Sequence, residues 1–95
     1  MADALDAIGS PAATTINSVK AAANPEFRIW LDDRRNARRV PFRFEACGYA
    51  TVRNPDAVDG LWKIGGRRQA VYGRRELSPR DRIKAADEIS RRGGQ

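Results

Sequence analysis

Leu61-Trp-Lys-Ile-Gly-Gly-Arg-Arg-Gln-Ala-Val-Tyr72 carries the clearest structural signal in the chain. Two apolar, strand-like runs, 61–64 and 69–72, flank Gly65-Gly66. A Gly-Gly pair takes φ > 0 at both central positions of a type I′ turn without penalty, so the segment reads as a β-hairpin. Alternation puts Trp62 on the face opposite Lys63, and a regular register sets Tyr72 beside Trp62 as a cross-strand pair. Arg67 and Arg68 follow the turn at once and concentrate positive charge at the tip, where intramolecular competition for them is expected to be small.

Upstream, Tyr49-Ala-Thr-Val-Arg53 reads as a strand, and Asn54-Pro55-Asp56 with Asp59-Gly60 marks a loop. The segment 40–48 has two readings. As a helix, Pro41 opens it behind Val40 as N-cap, Gly48 closes it, and Val40, Phe44 and Cys47 share a face. As a strand, Phe42, Phe44 and Ala46 alternate with Arg43 and Glu45. The proline start and glycine stop favour the short helix. Ser10-Pro11, Asn24-Pro25 and Ser78-Pro79 each pair a capping residue with proline, which predicts helices over 11–23, 25–35 and 79–92. Their inward residues are Ile16 and Val19; Phe27, Trp30 and Leu31; and Ile83, Ala86 and Ile89. Trp30 and Trp62 are expected in the core. Helices followed by a strand and a hairpin predict an α+β fold in a single domain over 1–95. Residues 1–9 and 93–95 are expected to be loose, 10–75 to form the body, and 78–92 the C-terminal helix.

The chain carries 18 Lys+Arg against 12 Asp+Glu, a net charge of +6. Fifteen of the cations are arginine, whose planar fork suits bidentate contact with phosphate. Residues 28–95 hold 17 cations against nine anions, so the basic field belongs to the last two-thirds. There is no histidine, and Cys47 is alone. These facts argue against a disulfide framework, a histidine-based acid–base site and a zinc site. Asp56 and Asp59 read as turn residues, since no bidentate glutamate completes a calcium loop. Gly-Gly-Arg-Arg lacks the Gly-Lys-Ser/Thr ending of a phosphate-cradling loop. No enzyme, metal or cofactor is therefore expected. No run approaches a membrane span and the first residues do not resemble a signal peptide. The expected setting is the cytoplasm of a bacterial or phage-infected cell, without membrane contact.

A short helix ending in Cys47-Gly48-Tyr49, the strand Ala50-Thr-Val-Arg53 and a Trp-bearing hairpin with a basic Gly-Gly tip together resemble a winged helix-turn-helix over roughly residues 11–75. The resemblance implies a small winged-helix-like domain of three or four helices with a three-stranded antiparallel sheet or hairpin wing. It also implies that 38–47 reads the major groove of DNA and that 61–72 is the wing. The run from Gly48 to Tyr72 further resembles accessory modules of phage and plasmid primase–helicase replication proteins.

The nucleic-acid-binding residues expected are Arg34, Arg35, Arg38, Arg39 and Arg43 around the helix edge. Lys63, Arg67 and Arg68 serve on the hairpin, and Arg74 and Arg75 extend its stripe. Arg39 and Arg43, four apart, share a helix face. Arg91 and Arg92 suit the negative end of the last helix. The presumed reading helix lacks Ser, Thr, Asn or Gln, which points to phosphate contact more than to base reading. Duplex DNA is the partner expected, with regulation or replication as the setting and a homodimer as a further arrangement. The alternative is a protein-interaction module, such as a phage-encoded inhibitor or adaptor, whose basic face meets an acidic partner protein.

Overall fold

In a computed structural model that describes residues 1–92, the chain runs α1 (Ala2–Ala7), β1 (Ala13–Thr14), α2 (Ile16–Ala22), α3 (Pro25–Asp32), a 3-10 helix (Arg34–Arg39), α4 (Val40–Ala46), β2 (Tyr49–Val52), β3 (Trp62–Ile64), β4 (Arg67–Gln69), β5 (Val71–Arg74) and α5 (Pro79–Arg91). The fold is α+β, with two small antiparallel sheets.

Local chemistry sets most of the helix starts. Asn24 Oδ1 accepts from the Phe27 amide at 2.8 Å, and Ser78 Oγ accepts from the Asp81 amide at 3.1 Å, each ahead of a proline at the first turn. The remaining cap–proline pair, Ser10-Pro11, behaves differently. Ser10 has φ +45 and its amide donates to the Leu5 carbonyl at 2.9 Å, so it closes α1 rather than opening a helix. Ala13 and Thr14 then pair with Gly73 and Tyr72, and Thr15 caps α2 by accepting from the Ser18 amide. Sheet pairing to distant residues thus overrides the helical tendency of the Ala-rich stretch, and the expected 11–23 helix begins at Ile16. Residues 1–9 are not loose either, because Ala4 and Leu5 are buried in a core. The expected end at 93–95 lies outside the described residues.

The expected 25–35 helix stops at Asp32, where Asp33 takes an extended conformation and its carboxylate caps the 3-10 helix through the Arg35 amide. Segment 40–48 is helical, as favoured. Val40 does not serve as its extended N-cap. It sits at φ −58, ψ −47 because its amide continues the preceding 3-10 helix to the Ala37 carbonyl, and its side chain is buried. Burial there outweighs the usual reluctance of a pre-proline residue to enter the helical region.

The three-stranded sheet has the order β1-β5-β2 and separates two cores. On one face, Tyr49 and Tyr72 meet Leu5, Val19, Leu31, Val40 and Phe44 from the first four helices. Phe44 stacks on Tyr72 with centroids 3.8 Å apart and meets Tyr49 edge-on. On the other face, Ala13, Val52 and Val71 pack with Trp62, Ile64 and Ala86 of α5. Ile83 and Ile89 border that core as expected. Gly73 lets α5 approach: a Cβ there would lie 2.8 Å from Val52 Cγ2 and 3.1 Å from Arg82 Cγ.

The hairpin forms with a register shorter than expected. Gly65 and Gly66 both have positive φ, and Trp62, Lys63 and Ile64 pair with Gln69, Arg68 and Arg67. Tyr72 lies outside this ribbon, on β5 between Thr14 and Thr51, so the expected Trp62–Tyr72 pair does not exist. The strand after the turn is consumed in pairing by Gln69, and Val71 begins a separate strand that returns to the main sheet.

Candidate nucleic-acid interface

Two basic arms emerge, each built by a different part of the chain. The first is the helical path from Arg34 through α4. Asp33 starts it twice over, accepting from the Arg35 amide and gripping the Arg35 guanidinium at 2.9 Å. The Arg35 side-chain hydrogen bond, then its amide, hold the Asp33 carboxyl below the usual carboxylate range. Asn36 is tied down as well, its side-chain amide donating to the Trp30 carbonyl at 3.0 Å.

Arg34, Arg38, Arg39 and Arg43 are exposed and form no ion pair with described residues. Of the nearby carboxylates, Asp32 and Asp33 are engaged, while Glu45 of α4 is exposed beside Arg43 and forms no ion pair with described residues. Asp32 is taken by Lys20 at 2.9 Å and Asp33 by Arg35. Arg43 lays its guanidinium over the Trp30 ring, 4.8 Å from the centroid. This cation–π contact uses none of the N–H donors of Arg43 in a hydrogen bond with described residues. Trp30 is half-buried at the rim of the first core and lies nearly parallel to Phe27, with centroids 5.8 Å apart. Its expected place deep in the core is therefore corrected: the stripe Phe27, Trp30, Leu31 buries fully only at Leu31.

The ribbon is the second arm. Trp62 is buried and its indole N–H donates to the Val52 carbonyl at 2.7 Å. Ser90 Oγ donates to the Lys63 carbonyl at 2.6 Å, and Asn17 donates to the Gln69 side chain at 3.2 Å. Lys63 points outward opposite Arg68, as the alternation requires, and Arg67 is exposed beside the turn. Arg68 is less free than its place at the tip implies. It reaches Asp59 of the loop at 2.7 Å. Asp59 is itself held below the usual carboxylate range by the Leu61 amide first and, after a smaller opposing effect of burial, by Arg68. The other Asp of this loop sits in the expected turn: the Asp56 amide donates to Asn54 Oδ1 at 3.0 Å.

Arg74 and Arg75 do not extend the ribbon. β5 leaves it at Val71 and carries them about 10 Å along the strand, at ~3.3 Å per residue. Arg74 pairs with Glu76 and with the Ser10 carbonyl, and the Arg75 amide bonds to the Gly48 carbonyl. They border an open groove of about 500 Å³ with Asp6, Cys47 and Tyr49. Arg91 pairs with Asp87 in the last helix.

The two arms rest on opposite faces of the sheet. Val40 and Phe44 anchor the first in one core, while Trp62 and Ile64 anchor the second in the other. Among the described residues no hydrogen bond or ion pair joins ribbon to helical edge. Sequence reasoning missed Phe42, which is 68% exposed while Phe44 is fully buried. The helical reading of 40–48 left Phe42 off the inward face, and that was the available signal.

No family model, no curated protein and no solved structure matches this chain. Among the described residues, no helix is long and apolar enough to cross a membrane, and no group of three or more His, Cys, Asp or Glu is placed to hold a metal ion.

Proposed function

We propose that the protein binds nucleic acid, with duplex DNA as the principal form, through the Arg34–Arg43 edge and the ribbon. The observation that carries this reading is the set of four arginines, Arg34, Arg38, Arg39 and Arg43, on one continuous helical path. Among the described residues they form no ion pair, Asp32 and Asp33 are already engaged, and Glu45 is the one free acid beside them. Lys63 and Arg67 add two more exposed cations without an acidic partner among the described residues. The exposed residues of α4 are Phe42, Arg43, Glu45 and Ala46, a set that offers phosphate contact and no amide or hydroxyl for base edges. Phosphate contact is accordingly the main source of affinity, with Arg43 the one side chain of α4 suited to a guanine edge. A winged-helix arrangement is part of the proposal: α4 and the preceding 3-10 turn face the DNA, and the ribbon, although anchored in the other core, reaches the same duplex as the wing. The cytoplasm, in a phage or plasmid replication or regulatory setting, is the proposed site of action.

Salt titration of duplex binding tests it. With four or five phosphate contacts, log K falls against log salt with a slope of about −4 to −5. The double variant Arg67→Ala, Arg68→Ala weakens binding about equally on all sequences. Unchanged duplex affinity in that variant removes the wing role. An affinity that resists salt, and appears only with an acidic protein partner, replaces the reading with the adaptor one.

A further inference from the structure

The chain has seven aromatic side chains, and Phe42 is the exposed one. Tyr49, Tyr72, Trp62 and Phe44 are buried, and Phe27 and Trp30 are half-buried against each other. Arg43 covers a face of Trp30, which leaves that ring poorly placed to receive a base. Phe42 stands among cations. Arg38 and Arg39 precede it by four and three residues on the continuous helical path, and Arg43 follows it. All three are exposed and without an acidic partner among the described residues. The Arg43 guanidinium lies over Trp30, but an exposed ring on a helical path that also carries exposed Arg38 and Arg39 suits a stacked nucleobase whose neighbouring phosphates run along that path. The same positive charge opposes a basic or cationic occupant.

We infer that Phe42 is a stacking platform for one unpaired nucleobase, with Arg38, Arg39 and Arg43 holding the adjoining phosphates. The preferred ligand is then duplex DNA bearing a short single-stranded tail. This rests on the nucleic-acid reading above and adds to it the form of the ligand. Base–aromatic stacking tolerates any sequence, because every base has a π face.

The test compares a blunt duplex with the same duplex carrying a short tail that contains 2-aminopurine. The wild-type chain binds the tailed probe on the order of 10-fold more tightly and quenches its fluorescence, an effect in the range given by one stacked base. Phe42→Trp retains the preference. Phe42→Ala and Phe42→Leu lose it, bind both probes at the blunt-duplex level, and keep the salt slope, since no phosphate contact is removed. Because the Phe42 side chain is exposed, these variants should melt at the wild-type temperature, which circular dichroism checks. Equal affinity of the wild type for both probes, or a tail preference that survives Phe42→Ala, overturns the stacking role while leaving phosphate binding intact. Absence of salt-dependent binding to either probe overturns both readings.

Discussion

Replacing Trp62 by Phe tests how the ribbon is fixed to the body. Trp62 is 4% exposed, its ring lies in the second core with Ile64, Val71 and Ala86, and its N–H donates to the Val52 carbonyl at 2.7 Å. Phenylalanine keeps an aromatic ring but removes the donor. Leaving a buried acceptor without its partner costs about 1–3 kcal/mol. Loss of the second indole ring removes buried apolar surface worth roughly 1 kcal/mol. The expected sum is about 2–4 kcal/mol, and a domain of this size loses roughly 10–30 °C in Tm for such a change. Urea unfolding followed by circular dichroism measures it, with the midpoint lowered and the m-value unchanged. Trp30→Phe serves as the internal comparison. That ring is half-buried, and its expected loss is below about 1 kcal/mol. If Trp62→Phe is as stable as wild type within about 0.5 kcal/mol, or no worse than Trp30→Phe, the indole hydrogen bond does not fix the ribbon and the reasoning fails.

Gly73→Ala forces a Cβ against Val52 and the Arg82 stem; overpacking of about 1–3 kcal/mol, offset by about 0.4–1 kcal/mol of unfolded-state entropy, lowers the urea midpoint. Asp33→Asn keeps the cap on the Arg35 amide but releases its guanidinium, so duplex binding tightens at low salt and the slope steepens by about 0.9 if Arg35 then meets a phosphate. Burial raises the phenol pKa of both Tyr49 and Tyr72, so each favours folding fully below the ordinary tyrosine value. That contribution is lost as pH rises from about 10 through the folded value, and Tyr72→Phe flattens the alkaline decline seen by ultraviolet absorbance and circular dichroism.

Legibility in the sequence followed the range of the interactions. Asn24, Ser78 and the Gly65-Gly66 turn act within four residues, and each produced the expected element. Ser10-Pro11 carries the same local signature, but β1 is decided by pairing with Gly73 and Tyr72, some 60 residues away. The Trp62–Tyr72 pair failed for the same reason: β5 is recruited by two strands of the main sheet and leaves the ribbon after Gln69. At the site, the identity of the exposed arginines was readable from a helical pattern with few inward positions. The partners of Arg68 and Arg74 were not, because Asp59 and the Ser10 carbonyl reach them only after the loop and β1 are folded.

The distribution of free charge follows from how the acids are employed. Asp33 and Asp59 sit where backbone amides need acceptors, at the start of the 3-10 helix and at the end of the loop, and each then captures the arginine nearest to it. Asp32 is used to join α3 to α2 through Lys20. Folding therefore engages Asp32 and Asp33, leaving Glu45 as the free acid near Arg34, Arg38, Arg39 and Arg43, which are exposed and form no ion pair with described residues. Such a set of like charges on one helical path destabilises the isolated fold through mutual repulsion, which the proposed polyanionic ligand would relieve. The sheet makes the arrangement tolerable by dividing the cations between two faces, with β5 as the strand common to both cores through Tyr72 on one side and Val71 on the other. A change on β5 consequently disturbs both arms, whereas a change on either arm leaves the other's packing in place.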